Sequence, residues 1–130
     1  MYSRFIVGVE MNEELCKIQG QVCNTFGLTD RVNIECSEMT TRLDLFQKAN
    51  VVVLNNVFEF FVTEDGGARA SMWKFLRTAM RPGTLVVSSP SIEKSLSTIQ
   101  VLHIICLLHT IQKYDFKHRY IGIYCIEIVL

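Results

Sequence analysis

Val51-Val52-Val53-Leu54 is an unbroken run of three β-branched residues and a leucine that passes directly into Asn55-Asn56. A short apolar run with no alternation predicts a strand covered on both faces, central in its sheet. Such a strand needs other strands beside it and helices above and below it, and the rest of the chain supplies both patterns.

Phe5-Ile6-Val7-Gly8-Val9 is a second continuous run, ending at Glu10. Asn12 can cap a helix after it, with Glu13 and Glu14 at the positive end of the helix dipole. Leu15, Ile18, Val22 and Phe26 recur at spacings of three and four, and Gly27 provides a stop. Val32-Asn33-Ile34-Glu35-Cys36 predicts the next strand, and Leu43 to Lys48 one or two helical turns. After the Glu64-Asp65-Gly66-Gly67 loop, a helix is expected from about Ala68 to Met80 with Met72, Phe75, Leu76 and Ala79 on one face; Trp73 also suits a core helix better than a cofactor box. Arg81-Pro82-Gly83 ends it, and Thr84 to Ser89 forms a buried strand stopped by Pro90. Leu96 to Tyr114 fits a buried helix or a pair of strands, and Tyr120 to Leu130 a terminal strand.

Strands alternating with helical patterns predict an α/β fold with a mostly parallel sheet. At 130 residues, without repeats or linkers, the chain reads as one domain over residues 1–130. Thirteen basic and thirteen acidic residues cancel, so no global field draws it to nucleic acid or an acidic membrane. The cluster Lys113, Lys117, His118 and Arg119 reads as a solvated turn. Ile99 to Ile111 is shorter than a spanning helix and is interrupted by His103 and His109, and Phe5 to Val9 is too short for a signal peptide. Five widely spaced cysteines contain no C-x-x-C pair, and the histidines no H-x-x-x-H. Neither a disulfide framework nor a metal site is expected; the thiols read as reduced, in the cytoplasm or nucleus.

In open α/β sheets, ligands bind beyond the carboxyl ends of the strands. That rule selects Glu10-Met11, Cys36-Ser37-Glu38-Met39, Asn55-Asn56 and Ser88-Ser89. A carboxylate ending a buried strand can accept both hydroxyls of a ribose, or it can be a solvated helix-entry residue; position leaves both open. Glu38 offers an acceptor for an exocyclic amine and Met39 an apolar surface for a ring, unless the two are an exposed loop pair. Asn55 and Asn56 present donors and acceptors at a buried strand end, suited to a pocket or to turn chemistry.

Together these segments resemble a known family. FIVGVEMNEELCKIQ (Phe5 to Gln19) is similar to the second strand and acidic loop of class I S-adenosylmethionine-dependent methyltransferases, and VNIECSEM (Val32 to Met39) to their third strand and adenine loop. ANVVVLNNVFEFF (Ala49 to Phe61) and LRTAMRPGTLVVSSP (Leu76 to Pro90) resemble the fourth strand, its helix and the fifth strand. The Asn-Asn pair, Phe58 and Gly-Thr-Leu-Val-Val-Ser-Ser are most similar to histone lysine methyltransferases of the disruptor-of-telomeric-silencing type. The resemblance implies a three-layer Rossmann-like sheet and S-adenosylmethionine as cofactor. It also implies Glu10, with Met11 beside it, at the ribose and Glu38 and Met39 at the adenine. Asn55 and Asn56 fall near the methionine moiety or incoming nucleophile, with a protein lysine as acceptor. The family's first strand and its glycine-rich loop have no counterpart before Phe5, which only Met1 to Arg4 precede. The expectation is a shortened methyltransferase-like domain with a gap at the sheet centre, where the strands ending at Glu10 and Asn55 either pair directly or leave unpaired edges. Weak S-adenosylmethionine binding follows, with a non-catalytic interaction module as the alternative. A nucleotide-dependent oxidoreductase fits less well, because its glycine fingerprint is absent too.

Overall fold

The computed structural model describes residues 5–55, 57, 66–92 and 126–129. Its elements are β1 (Ile6–Glu10), α1 (Glu13–Thr25), β2 (Val32–Cys36), a 3-10 turn (Met39–Thr41), α2 (Leu43–Lys48), β3 (Val51–Asn55), α3 (Gly66–Ala79), β4 (Leu85–Ser89) and β5 (Ile126–Val129). The fold is mixed α/β. One open five-stranded sheet has the order β2-β1-β5-β3-β4. β1 pairs with β2 and β3 with β4 in parallel, while β5 runs antiparallel to both β1 and β3. Leu96 to Tyr114, the three histidines and the Lys113 to Arg119 cluster lie outside the described residues.

The expected central gap is not there. Ile126 to Val129 fills it, pairing Ile128 with Val7 on one side and Val52 on the other. β1 and β3 therefore neither meet nor expose edges to each other. The physical reason is general: an unpaired row of backbone donors and acceptors recruits any strand long enough to satisfy it, and the terminal apolar segment does so in reverse direction.

Val7 and Val9 alternate onto the same face as Val52 and Leu54 through the β5 register. They form one core with Met39, Leu45, Phe46, Ala49, Trp73, Leu76, Ala79 and Ile92. Phe46 is fully buried and meets Phe75 edge to face, ring centroids 5.5 Å apart. The start of β3 is held to β4 by a small clamp: Thr84 Oγ1 donates to the Ala49 carbonyl at 3.0 Å and Leu85 N to the Asn50 carbonyl at 2.9 Å, while Arg81 Nη2 donates to Asn50 Oδ1.

α1 begins and ends as its sequence dictates. Asn12 Oδ1 accepts the amides of Glu14 and Leu15 at 3.0 and 3.1 Å. At the other end Gly27 takes φ +62°, with its amide donating to Asn24 O and that of Leu28 to Cys23 O, a Schellman closure. The buried face, however, is not the apolar one. Cys23 is buried and Cys16, Gln19 and Gly20 are half-buried, whereas Leu15, Ile18, Val22 and Phe26 are exposed, Phe26 by 72%. Anchors set this rotation: Cys16 is tied to β1 at one end, and at the other Val32 N donates to Leu28 O at 2.9 Å.

Candidate functional site at the carboxyl edge of the sheet

All four parallel strands end at one edge, with Glu10 level with Cys36 and Asn55 level with Ser89. Strand alternation places Glu10 and Asn55 on the face opposite the core, the face that carries α1. With β5 between their strands they are two inter-strand steps apart, roughly 10 Å. One small group cannot bridge that distance, but the two ends of an extended ligand can.

Glu10 is the only buried charged residue among the described residues, 5% exposed. Its Oε1 accepts the Asn12 amide at 2.8 Å, the one side-chain hydrogen bond it receives among the described residues. Its carbonyl accepts Ser37 N at 2.9 Å and Cys16 Sγ at 3.3 Å. The carboxylate therefore stands at the entry to α1 but is buried, not solvated as the plainer expectation had it, and it has acceptor capacity to spare. Just past β2, Ser37 Oγ is buried with no hydrogen-bond partner among the described residues. A buried, partly satisfied carboxylate suits a ligand that donates to it, as a vicinal diol does.

The other expected residues fall differently. Met11 is 64% exposed at the end of β1. Glu38 is exposed and starts the 3-10 turn, its Oε1 accepting Thr40 Oγ1 at 2.6 Å and its carbonyl Thr41 N at 3.1 Å. Met39 is 5% exposed and belongs to the core with Val7 and Phe46, so its side chain offers no open surface to a ring. Asn55 is half-buried as the last residue of β3; Asn56 lies outside the described residues. Two participants were not singled out from the sequence. Ser37 lay within the strand-end set and could have been found there. Cys16, six residues beyond Glu10 on a helix, left no signal.

Burial first, then the neighbouring Cys36, pushes the Cys16 thiol up to about 11. On the outer side, Arg42 joins β2 to α2: Nη1 donates to Glu35 Oε2 at 2.6 Å, and Nε and Nη2 reach both oxygens of Asp44 at 3.1 Å. That fork holds the Asp44 carboxyl below its ordinary value.

Among the described residues no group of His, Cys, Asp and Glu could hold a metal ion, and no helix is long and apolar enough to cross a membrane. No protein-family model matches the chain, and neither the curated proteins nor the solved structures yield a match.

Proposed function

We propose that this chain is a methyltransferase-type α/β domain whose complete form transfers a methyl group from S-adenosylmethionine to a nucleophile, a protein lysine by resemblance. The observation that carries this is the buried Glu10 carboxylate closing β1 at the crevice edge. Topology adds support. β1 to β2 steps one way from the sheet centre and β3 to β4 the other, an order that suits right-handed crossovers, a three-layer arrangement and a topological switch point at the centre.

Tested against the cofactor, the residues fit at one end. Glu10 would hold the ribose hydroxyls, Glu38 would lie near the adenine, and Asn55 stands where the methionine portion or nucleophile would come. S-adenosylmethionine, when bound, supplies an electrophilic methyl group. The chain's own contribution would be to orient that group and exclude water, catalysis by proximity and desolvation. Met39, turned into the core, does not serve the ring. The central slot, where the family's first strand would lie, holds β5 reversed.

With half a clasp, the interaction must still offset several kcal/mol of lost freedom. Binding is expected at a dissociation constant on the order of a millimolar or weaker. The test is amide-resolved NMR titration with S-adenosylmethionine, repeated on Glu10→Gln. Shifts at Glu10, Asn12, Ser37 and Glu38 that vanish in the variant support the proposal. Their absence at millimolar ligand removes it. A micromolar, Glu10-dependent value from calorimetry would instead restore an autonomous enzyme. The reversed β5 and the exposed apolar stripe on α1 favour a second reading, a non-catalytic interaction module retaining this fold. An unchanged spectrum would leave that one standing.

A further inference from the structure

Two cysteines converge at the end of β1. Cys36 closes β2 level with Glu10, and as parallel neighbours their side chains share the α1 face. Cys16 comes down onto the same strand end from α1, its Sγ 3.3 Å from the Glu10 carbonyl. Ser37 N, the next amide along, donates to that same carbonyl at 2.9 Å and fixes the end of β2 beneath the helix. We propose that Cys16 and Cys36 are a paired modification site, a dithiol that a peroxide converts to a disulfide fastening α1 to β2 across Glu10. The two thiols reach one strand end from adjacent elements, the convergence that closing their sulfurs to about 2 Å requires.

Their environments assign the two roles. Cys36 is exposed and meets the oxidant; Cys16 is half-buried, and its raised pKa keeps it a thiol until an electrophilic sulfur arrives. Cys36 gives up its proton and its sulfur attacks one peroxide oxygen. The O–O bond breaks, the departing hydroxide takes the proton as water, and Cys36 becomes a sulfenic acid. The Cys16 sulfur then attacks the Cys36 sulfur, the S–O bond breaks, and the hydroxide leaves with the Cys16 proton as a second water. Two thiols lose two electrons and one peroxide becomes two waters. A small dithiol reductant reverses the change. Cys23, buried on the same helix, takes no part. Nothing here depends on cofactor binding, so this proposal and the methyltransferase reading fail separately.

The test uses the full chain. It is treated with hydrogen peroxide, blocked with iodoacetamide and digested with trypsin without reduction. Cleavage after Arg4, Lys17, Arg31 and Arg42 puts Cys16, Cys23 and Cys36 on three different peptides, so mass spectrometry identifies the linkage directly. The expected result is Phe5–Lys17 joined to Val32–Arg42 with loss of two hydrogens, as the main oxidised species, reversed by dithiothreitol. In Cys16→Ser, Cys36 should be trapped as a dimedone adduct and pass on to higher acids; in Cys36→Ser, Cys16 should remain available to iodoacetamide. A dominant link to Cys23, Cys106 or Cys125 overturns the proposal. So does a wild-type chain in which Cys36 becomes a sulfinic acid while Cys16 stays free. The wild-type map needs no variant, so a variant that fails to fold does not spare the idea.

Discussion

The two faces of the sheet are covered to very different degrees. Under α2 and α3, Phe46, Val52 and Leu76 are wholly inaccessible and Leu54 and Trp73 nearly so. On the α1 face Leu15, Ile18, Val22 and Phe26 point outward, and Leu85 and Val87 of β4 remain exposed. Both helices have an apolar stripe at helical spacing, yet only that of α3 is buried. Periodicity specifies that a stripe exists; what covers it depends on anchors and partners elsewhere in the molecule. α3 turns its stripe inward, burying Leu76 and Ala79. α1 is pinned at both ends by polar contacts, and those pins choose the face that packs.

The sharpest way to break this comparison is to truncate one apolar residue on each face. Phe46→Ala empties a site with no solvent access and removes the Phe75 contact, and should cost about 3–5 kcal/mol in urea or guanidinium unfolding. Ile18→Ala, at a residue 55% exposed, should stay within about 0.5 kcal/mol. Equal losses would mean that the α1 stripe is covered after all.

A second test concerns what joins the faces' supporting strands. Among the described strands, β1 and β2 are connected to β3 and β4 only through β5. Ile128→Pro removes a ladder donor from the central strand and should destabilise by about 3 kcal/mol, the scale on which proline disrupts regular structure. Hydrogen exchange should then show amides of β1 and β3 losing protection together. Loss confined to the C-terminus would show that the two parallel pairs hold by their helices alone.

Most strand positions were legible from local pattern. Val32 to Cys36 and Val51 to Asn55 match the expectation, and β1 and β4 differ from it by one residue at an end. The Asn12 cap and the Gly27 stop were legible for the same reason: their chemistry acts within four residues. The placement of β5 was not, because pairing between residues more than seventy positions apart leaves no periodic trace. Likewise Met39 and Cys16 sit where long-range packing puts them. Glu10 was selected by a rule about strand ends, but only the fold could say whether water reaches it.

Two glycines on α1 sharpen the contrast further, with opposite signs. Gly20 lies mid-helix, and a methyl group there would meet nothing within 4 Å, so Gly20→Ala should stabilise by about 0.5–1 kcal/mol. Gly27 has equal space but φ +62°, so Gly27→Ala should destabilise by about 1–2 kcal/mol through backbone strain alone. Thermal unfolding of the pair checks both. If both substitutions stabilise, the helix does not end in a left-handed residue.

The smallest effect expected is electrostatic and appears only in acid. Arg42 grips both oxygens of Asp44, an exposed carboxylate at the start of α2, and holds its pKa below the ordinary 3.8. Because the folded chain binds this proton less readily than the unfolded one, the pair's contribution is complete above 3.8 and disappears as pH falls through the lower, folded value. Solvent and salt screen a pair this exposed, so its contribution is slight even at neutral pH. Arg42→Met should therefore lower the urea midpoint modestly at neutral pH, and the gap from wild type should narrow once the pH drops below 3.8. The Glu35 contact adds to the neutral-pH gap, so Asp44→Asn is the cleaner companion: its acid limb should be flatter than the wild type's. Parallel limbs for wild type and Asp44→Asn would mean that the Arg42 fork contributes no pH-dependent stability to the joint between β2 and α2.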